Sequence, residues 1–559
     1  MIRYCIIGSG FSGTCMLWHL VNAICHNEKS ASLDFSQIEI STIESRANNG
    51  LGLPYDMDDI SPYHLCNNPA DKMALFDNDF VDWMLANREE IIARHPELIH
   101  EAHPAIELSQ WQPLTQSFYP RALFGIYLSR RFKEACAVAE SHGIVVRNYN
   151  GYAAVDGASR DGKFNLTIQS RKTGELKNLG DLDKVLLASG HWHAGKPAAS
   201  NVLSSPYPSK NIYENIFAYQ EKNAKKRLTL YVHGMGPSGV DAILSLCGFG
   251  HFTYGPDGLA TDFQADWSTF KADAVKIIAG SRSGFFPGVR WPLLDYDFQH
   301  LNDANIDAIR KNRQGRISLA ELMSLVDLEL KAASDNVLSF QDLVQPKFDN
   351  AKEKLLVDIG GSFLERITYT IILFVRRLRF YQELNSADKQ TYDRELDTHF
   401  IRTAVPIPLP NAKKLIALIN AGVLSTTRLG YRDKLNEHFD VVCEGETVRP
   451  DIVICSNGQN YDLKTHPSLL IKNMAETREI IEYSDDGYLA GGICANEVNN
   501  YRVVNSIKGY RDYSSNLYSF GPITQYWQNQ NNYAAAFVGA AQAVAQDWLA
   551  YTLKRAAKR

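Results

Sequence analysis

The chain has 559 residues, with 58 Lys and Arg against 63 Asp and Glu, a formal net charge of −5 at neutral pH. Its 45% hydrophobic and 22% charged composition is that of a globular protein with room for several domains. A nearly balanced, slightly acidic chain offers no electrostatic pull toward nucleic acid or membrane, and no apolar stretch reaches the ~20 residues that a membrane-spanning helix needs.

Tyr4-Cys5-Ile6-Ile7 predicts a buried strand and leads directly into Gly8-Ser9-Gly10-Phe11-Ser12-Gly13. The glycines break the apolar run, so the N-terminus reads as a strand rather than a leader peptide. A helix is expected from about Gly13 to His26, then a polar turn and a second strand, Ile38–Ile43, closed by Glu44. In this setting the first glycine makes a tight turn, the second lets backbone approach a pyrophosphate, and the third lets helix and strand pack closely. Glu44, with Ser45 beside it, has the place of a carboxylate that accepts ribose hydroxyls.

The pattern recurs. Leu228–Val232 predicts a strand, Gly234-Met235-Gly236-Pro237-Ser238-Gly239 a second loop, and Pro237 to about Cys247 a helix. Proline at a first helical position is tolerated, because the missing N–H would have no partner there. The next strand, Ala274–Ala279, ends in Gly280-Ser281-Arg282 rather than in an acid. A guanidinium at that place favours a 2′-phosphate. The two units therefore predict FAD at the first loop and NADPH at the second.

From Leu301 to Ala421 helix-period segments dominate, among them Ile317–Ala333 and Phe363–Leu384. The run Arg376-Arg377-Leu378-Arg379 reads as a solvated helix face. Two further apolar runs end in small residues and glycine: Lys184 to Gly190, and Asp451 to Asn457-Gly458. Such strands mark where a chain with two nucleotide domains crosses between them. The expected architecture is α/β, with two Rossmann-like dinucleotide-binding domains and a helical insertion. Residues 1–225 would form the N-terminal part of the FAD domain, 226–440 the NADPH domain with its insertion at about 301–421, and 441–559 the C-terminal part of the FAD domain. The nine cysteines contain no C-x-x-C and no zinc-like spacing, so a reduced, cytoplasmic chain without a bound metal or a dithiol relay is expected.

Three more segments carry a family resemblance: Gly50-Leu51-Gly52-Leu53-Pro54-Tyr55, His64-Leu65-Cys66-Asn67-Asn68-Pro69-Ala70, and Phe118-Tyr119-Pro120-Arg121 followed by Phe124–Leu128. With the two loops, they resemble FAD/NAD(P)-binding flavoproteins that include bacterial amino-acid N-oxygenases of the aspartate, nitrosuccinate-forming type. More distantly the chain is similar to class B flavin monooxygenases. Of the F-x-G-x-x-x-H-x-x-x-(Y/W) signature of that class, Gly190-His191-Trp192-His193 is only an echo.

The resemblance implies that residues 50–70 run along the flavin, with His64, Asn67, Arg121, Gly190, Asn457 and Gly458 joining the loop residues as cofactor contacts. Asn67 and Asn68 would face the reacting edge. Arg290 would hold a substrate carboxylate or the nicotinamide side, or else form a surface salt bridge. Thr398–Arg402, with His399 and Arg402, resembles a family element, and Gly521–Trp527 precedes a final helix suited to packing on cofactor. The implied activity is N-hydroxylation of a small amine or amino acid by O2 and NADPH, through a C4a-(hydro)peroxyflavin. Two alternatives stand beside it: an NADPH-dependent flavin oxidoreductase serving another acceptor, and a non-catalytic flavin-binding sensor.

Overall fold

A computed structural model describes residues 1–30, 33–192, 200–312, 315–429, 438–456, 458, 461–495, 500–505, 512–524 and 533–558. Two mainly parallel sheets organise the chain. The first has six strands in the order Arg502–Val504, Tyr513–Ser519, Lys184–Leu187, Ile2–Ile7, Ile38–Glu44 and Val145–Asn150. Only the outermost pair, Arg502–Val504 with Tyr513–Ser519, is antiparallel. The second has five parallel strands in the order Leu424–Arg428, Ala274–Ser281, Arg227–His233, Ile452–Cys455 and Val202–Leu203.

Burial on both faces explains why the central strands read as continuous apolar runs instead of alternating ones. One face of the first sheet is covered by the helices Phe11–Cys25, Arg121–Ser141 and Ala534–Ala556, with Tyr4 stacked on Trp548 at 4.9 Å between ring centroids. The other face packs against an antiparallel three-stranded sheet spanning Tyr152–Leu182 and the helix Leu469–Glu476. The first loop helix, Phe11–Cys25, begins right after Gly10, slightly ahead of the expected Gly13, and the second, Pro237–Ser245, begins at Pro237 as expected.

The structure moves the domain bounds expected at 225/226 and 440/441. Strand Val202–Leu203, helix Ser209–Asn223 and strand Ile452–Cys455 all belong to the second unit. The reason is physical: both strands hydrogen-bond into the second sheet, and Ile212 and Ile216 bury in its core. The crossovers thus lie beyond Gly190 and beyond Cys455, at the glycine-ended runs themselves.

The helical insertion builds its own core from Leu301 to Ala404. Ser318 and Ser362 cap the helices Leu319–Ala333 and Phe363–Arg377, and Ile367, Ile371 and Val375 line one buried face of the second. Arg376, expected to be solvated, is only 6% exposed and lies near the half-buried Asp397; Arg377 is the exposed one. Among the described residues no helix is long and apolar enough to cross a membrane, and no group of three or more His, Cys, Asp or Glu is placed to hold a metal ion.

Glu329 anchors the start of this insertion. Its carboxylate is fully buried and accepts from the Tyr296 hydroxyl at 2.6 Å and the N–H groups of Gln299, His300 and Leu301 at 3.0, 2.7 and 2.7 Å. Burial alone would raise its pKa, but these four donors outweigh it and hold the carboxyl below its ordinary value of 4.5. The unfolded chain therefore binds the proton first as pH falls. The stabilisation is complete above about pH 4.5 and is lost as pH drops through the lower folded value. Glu329→Gln is expected to cost about 1–3 kcal/mol near neutral pH. Denaturant unfolding should show the gap to wild type closing on acidification.

Candidate functional site

The two glycine loops are built alike, bond for bond. The N–H of Gly8 donates to Ile43 O at the end of the neighbouring strand, and that of Gly234 donates to Gly280 O, both at 2.8 Å. Thr14 N bonds Gly10 O at 2.9 Å, and Val240 N bonds Gly236 O at 3.0 Å. On the other side, Ala188 N donates to Ile7 O and Ser456 N to His233 O, at 2.8 and 2.7 Å. Each crossover strand thus lies beside the strand that leads into the glycine loop of its own sheet, with that loop above both.

Sterics fix the glycines. Gly8 and Gly234 have φ of +95° and +115°, where side chains are strained. A Cβ on Gly13 would overlap the Gly8 carbonyl oxygen, and one on Gly239 would overlap that of Gly234. The middle glycines differ. A Cβ on Gly10 would stand 3.2 Å from Gly52 Cα, whereas one on Gly236 would meet nothing within 4 Å. Segment 50–52 therefore walls the first loop, tied to it by Gly50 N donating to Ser9 O at 3.0 Å. The second loop opens onto free space.

Both helices start without a side-chain cap and without an acid in the first turn. The first N–H groups of an α-helix lack an intrahelical acceptor and carry the positive end of its dipole. Here Phe11, Ser12 and Gly13 at one loop, and Ser238 and Gly239 at the other, offer such groups; Pro237 offers none. Both sites fit a diphosphate.

The two sites differ at the next strand end. Glu44 Oε2 accepts from Ser9 N at 3.0 Å and Ser9 Oγ at 2.9 Å, and Oε1 accepts from Arg46 N at 3.0 Å and Ser45 Oγ at 3.4 Å. The carboxylate is thereby held at the mouth of the first loop, each oxygen matched by one backbone N–H and one serine hydroxyl. At the second loop Ser281 Oγ accepts from Gly284 N at 3.0 Å, and Arg282 leaves the strand exposed, near Asp397 and His399 of the insertion. Arg428, a residue the sequence patterns missed, is the register partner of Ser281 and also exposed, so two guanidinium-bearing residues stand at this sheet edge. Nothing in its local sequence marked it; only strand pairing does.

The remaining expected site residues fall into distinct places. Gly190 and Gly458, just past the two crossover strands, share a positive φ (+72° and +106°) and open space beside them. Asn457 lies outside the described residues, as do His193 and Gln525–Trp527. Gly521 reaches the first loop, where its Cβ would be 3.3 Å from Ser12 Oγ. Asn67 and Asn68 are half-buried, and the Asn68 amide approaches Met73 Sδ at 3.9 Å.

Two of the expected cofactor residues have protein partners on other elements. Arg121, expected at the cofactor, is 8% exposed and donates to Asp241 Oδ2 at 2.6 Å and Leu65 O at 3.0 Å. His64 is fully buried, with Nε2 bonded to Asp241 O at 3.0 Å and Ser245 Oγ at 2.8 Å. Burial lowers its pKa, so the ring is neutral. A buried charge and a buried ring nitrogen take protein partners, and here those partners are on the second loop's helix.

Arg290 sits at the root of the insertion: its N–H donates to Ile407 O at 2.8 Å and Nη1 to the Tyr369 hydroxyl at 2.8 Å. Burial lowers its pKa, and no hydrogen bond joins it to Asn67 or Asn68 among the described residues. His399 and Arg402 are buried in the insertion. Arg402 Nη2 donates to Leu343 O at 2.7 Å, and His399 is pushed down to about 4 by burial and the charges of Arg402 and Arg282.

The two middle and closing glycines of the second loop make opposite predictions. Gly239→Ala should cost about 3 kcal/mol or more, because helix and strand must separate. Gly236→Ala should leave the melting temperature nearly unchanged and weaken NADPH binding about tenfold or more, since its Cβ enters only the space a phosphate would use. Thermal unfolding and equilibrium binding of the FAD-loaded variants distinguish the two.

The chain is similar to several known proteins. The chain is 21% identical over 491 residues to the uncharacterized protein YdhS of Escherichia coli strain K12, covering 82% of this chain and 83% of that protein. Among solved structures it is similar to the reduced form of ornithine hydroxylase (PvdA) from Pseudomonas aeruginosa, at TM-score 0.47 and 10% identity over 99% of both chains. It is also similar to L-lysine 6-monooxygenase from Pseudomonas syringae, at TM-score 0.45 and 11% identity over 100% of both. Residues 5–192, from the first strand through the first crossover run, match the family model described as FAD-NAD(P)-binding.

Proposed function

We propose that this chain is an FAD- and NADPH-dependent monooxygenase that N-hydroxylates a small amine or amino acid. One observation carries the cofactor half of the reading: the same uncapped loop-and-helix site occurs twice, with a carboxylate, Glu44, beside the first and exposed arginines, Arg282 and Arg428, beside the second. A carboxylate suits a free ribose hydroxyl and a guanidinium fork suits a 2′-phosphate. The resemblance to amino-acid N-oxygenases supplies the substrate class.

When bound, the flavin would supply the redox chemistry between NADPH and O2. The chain binds, orients and shields. Phe11, Ser12 and Gly13 hold the first diphosphate through backbone N–H groups, and Glu44 takes the ribose. Ser238 and Gly239 hold the second diphosphate, and Arg282 the 2′-phosphate. Gly52 and Gly521 close the first loop on two sides. Asn67 and Asn68 bring amide donors to the flavin's reacting edge, and Arg290 meets a substrate carboxylate. The amine must be deprotonated to attack, so turnover should rise with pH toward its pKa.

The test is anaerobic reduction of the FAD-loaded protein by NADPH, then mixing with O2 and a panel of amines and amino acids. A hydroxylated amine, with little H2O2, is the expected product. H2O2 alone across the panel, with fast reduction of added acceptors, would replace the monooxygenase by an oxidoreductase. Arg282→Ala should weaken NADPH binding about tenfold to a hundredfold and leave NADH unaffected, as loss of charge-assisted bonds worth about 1.5–3 kcal/mol requires.

A further inference from the structure

A buried polar network joins the segment placed along the flavin to the helix that opens on the second loop. Arg121, first residue of helix Arg121–Ser141, donates its backbone N–H to His64 O at 2.7 Å and its Nε to Leu65 O at 3.0 Å. Its Nη1 donates to Asp241 Oδ2 at 2.6 Å and to the Tyr207 hydroxyl at 3.2 Å, and Tyr207 in turn donates to the same carboxylate. From the same strap His64 reaches Asp241 O and Ser245 Oγ.

The two charged side chains are 9% and 2% exposed. A pair so deeply buried contributes little stability that apolar packing could not supply, but it has a single geometry. Its position gives that geometry a use. Asn67 follows Leu65 by two residues, and Asp241 lies about one turn inside helix Pro237–Ser245, whose uncapped first residues form the second loop's site.

We propose that Arg121 and Asp241 are positioning residues that fix the nicotinamide loop in register with the flavin-side strap of residues 64–68. The proposal rests on the function stated above. It explains why a charge sits at the seam between the units, and why the second loop's helix carries an acid whose carboxylate is bonded to Arg121 and Tyr207.

The test uses the full FAD-loaded chain and D241N, which keeps the volume and removes the charge. Flavin reduction at saturating NADPH should slow about tenfold to a hundredfold, since small misplacement of reacting groups has effects of that size, while NADP+ affinity changes less than about threefold. Hydrogen exchange should rise in residues 64–66 and in helix Pro237–Ser245, and nowhere else. If D241N does not retain FAD, the double variant R121M/D241L, which leaves no orphan charge, is read in the same way. Wild-type reduction rates and wild-type exchange in the folded variant would overturn the proposal, as would parallel losses of NADP+ affinity and rate. A wild-type protein that NADPH does not reduce would overturn the proposed function instead, and the exchange measurement would still decide whether the network fixes the seam.

Discussion

The structure depends on a space too small for a methyl group. Where Gly13 faces the Gly8 carbonyl, and where Gly239 faces that of Gly234, helix and strand are as close as two backbones come. That contact points each helix N-terminus at the turn, and it lets the strand ends, the crossover strands and the Glu44 or Arg282 position converge on one edge. Without it the N–H groups would be present but would not be aimed. The same constraint, met twice in one chain, sets two uncapped helix N-termini on two sheets.

Between the sheets a different kind of interaction takes over. The seam holds the Arg121–Asp241 pair, the Lys414–Glu101 pair, and Ser209 N bonded to Asp59 O at 2.6 Å. Apolar surfaces tolerate sliding, because their attraction has no direction. Buried charges do not, since a small displacement leaves each one unpaired in a medium that solvates it poorly. A protein that must present one bound nucleotide to another has reason to use polar contacts there, even where they add little to stability.

What the sequence made legible was local. Glycines at fixed spacing, an acid or a base at a strand end, and a proline at a first helical position are short-range rules, and the loops, their helices and the strand ending at Glu44 follow them. What it hid was tertiary. Val202–Leu203 is too short to register as a strand and exists because Ile452–Cys455 gives it a partner. Arg121 and His64 stand in segments that resemble flavin-binding ones, but their side chains were claimed by Asp241 and Ser245, more than a hundred residues away. Arg376 looked solvated among its basic neighbours until the helix carrying Asp397 folded over it. Arg428 acquires meaning only through its pairing with Ser281.

The pairing of Val202 with Val453 has a consequence for how such a chain can fold at all. Bringing together the ends of a long flexible loop has an entropic cost that grows with its length. Here the ends of the inserted unit are neighbouring strands of one sheet, about 5 Å apart. Once the second sheet has formed, the first unit no longer has to close a long loop; it closes the equivalent of a short hairpin connection. The insertion is therefore large in mass but small in entropy, and the outer unit can assemble from two distant pieces almost as if they were contiguous.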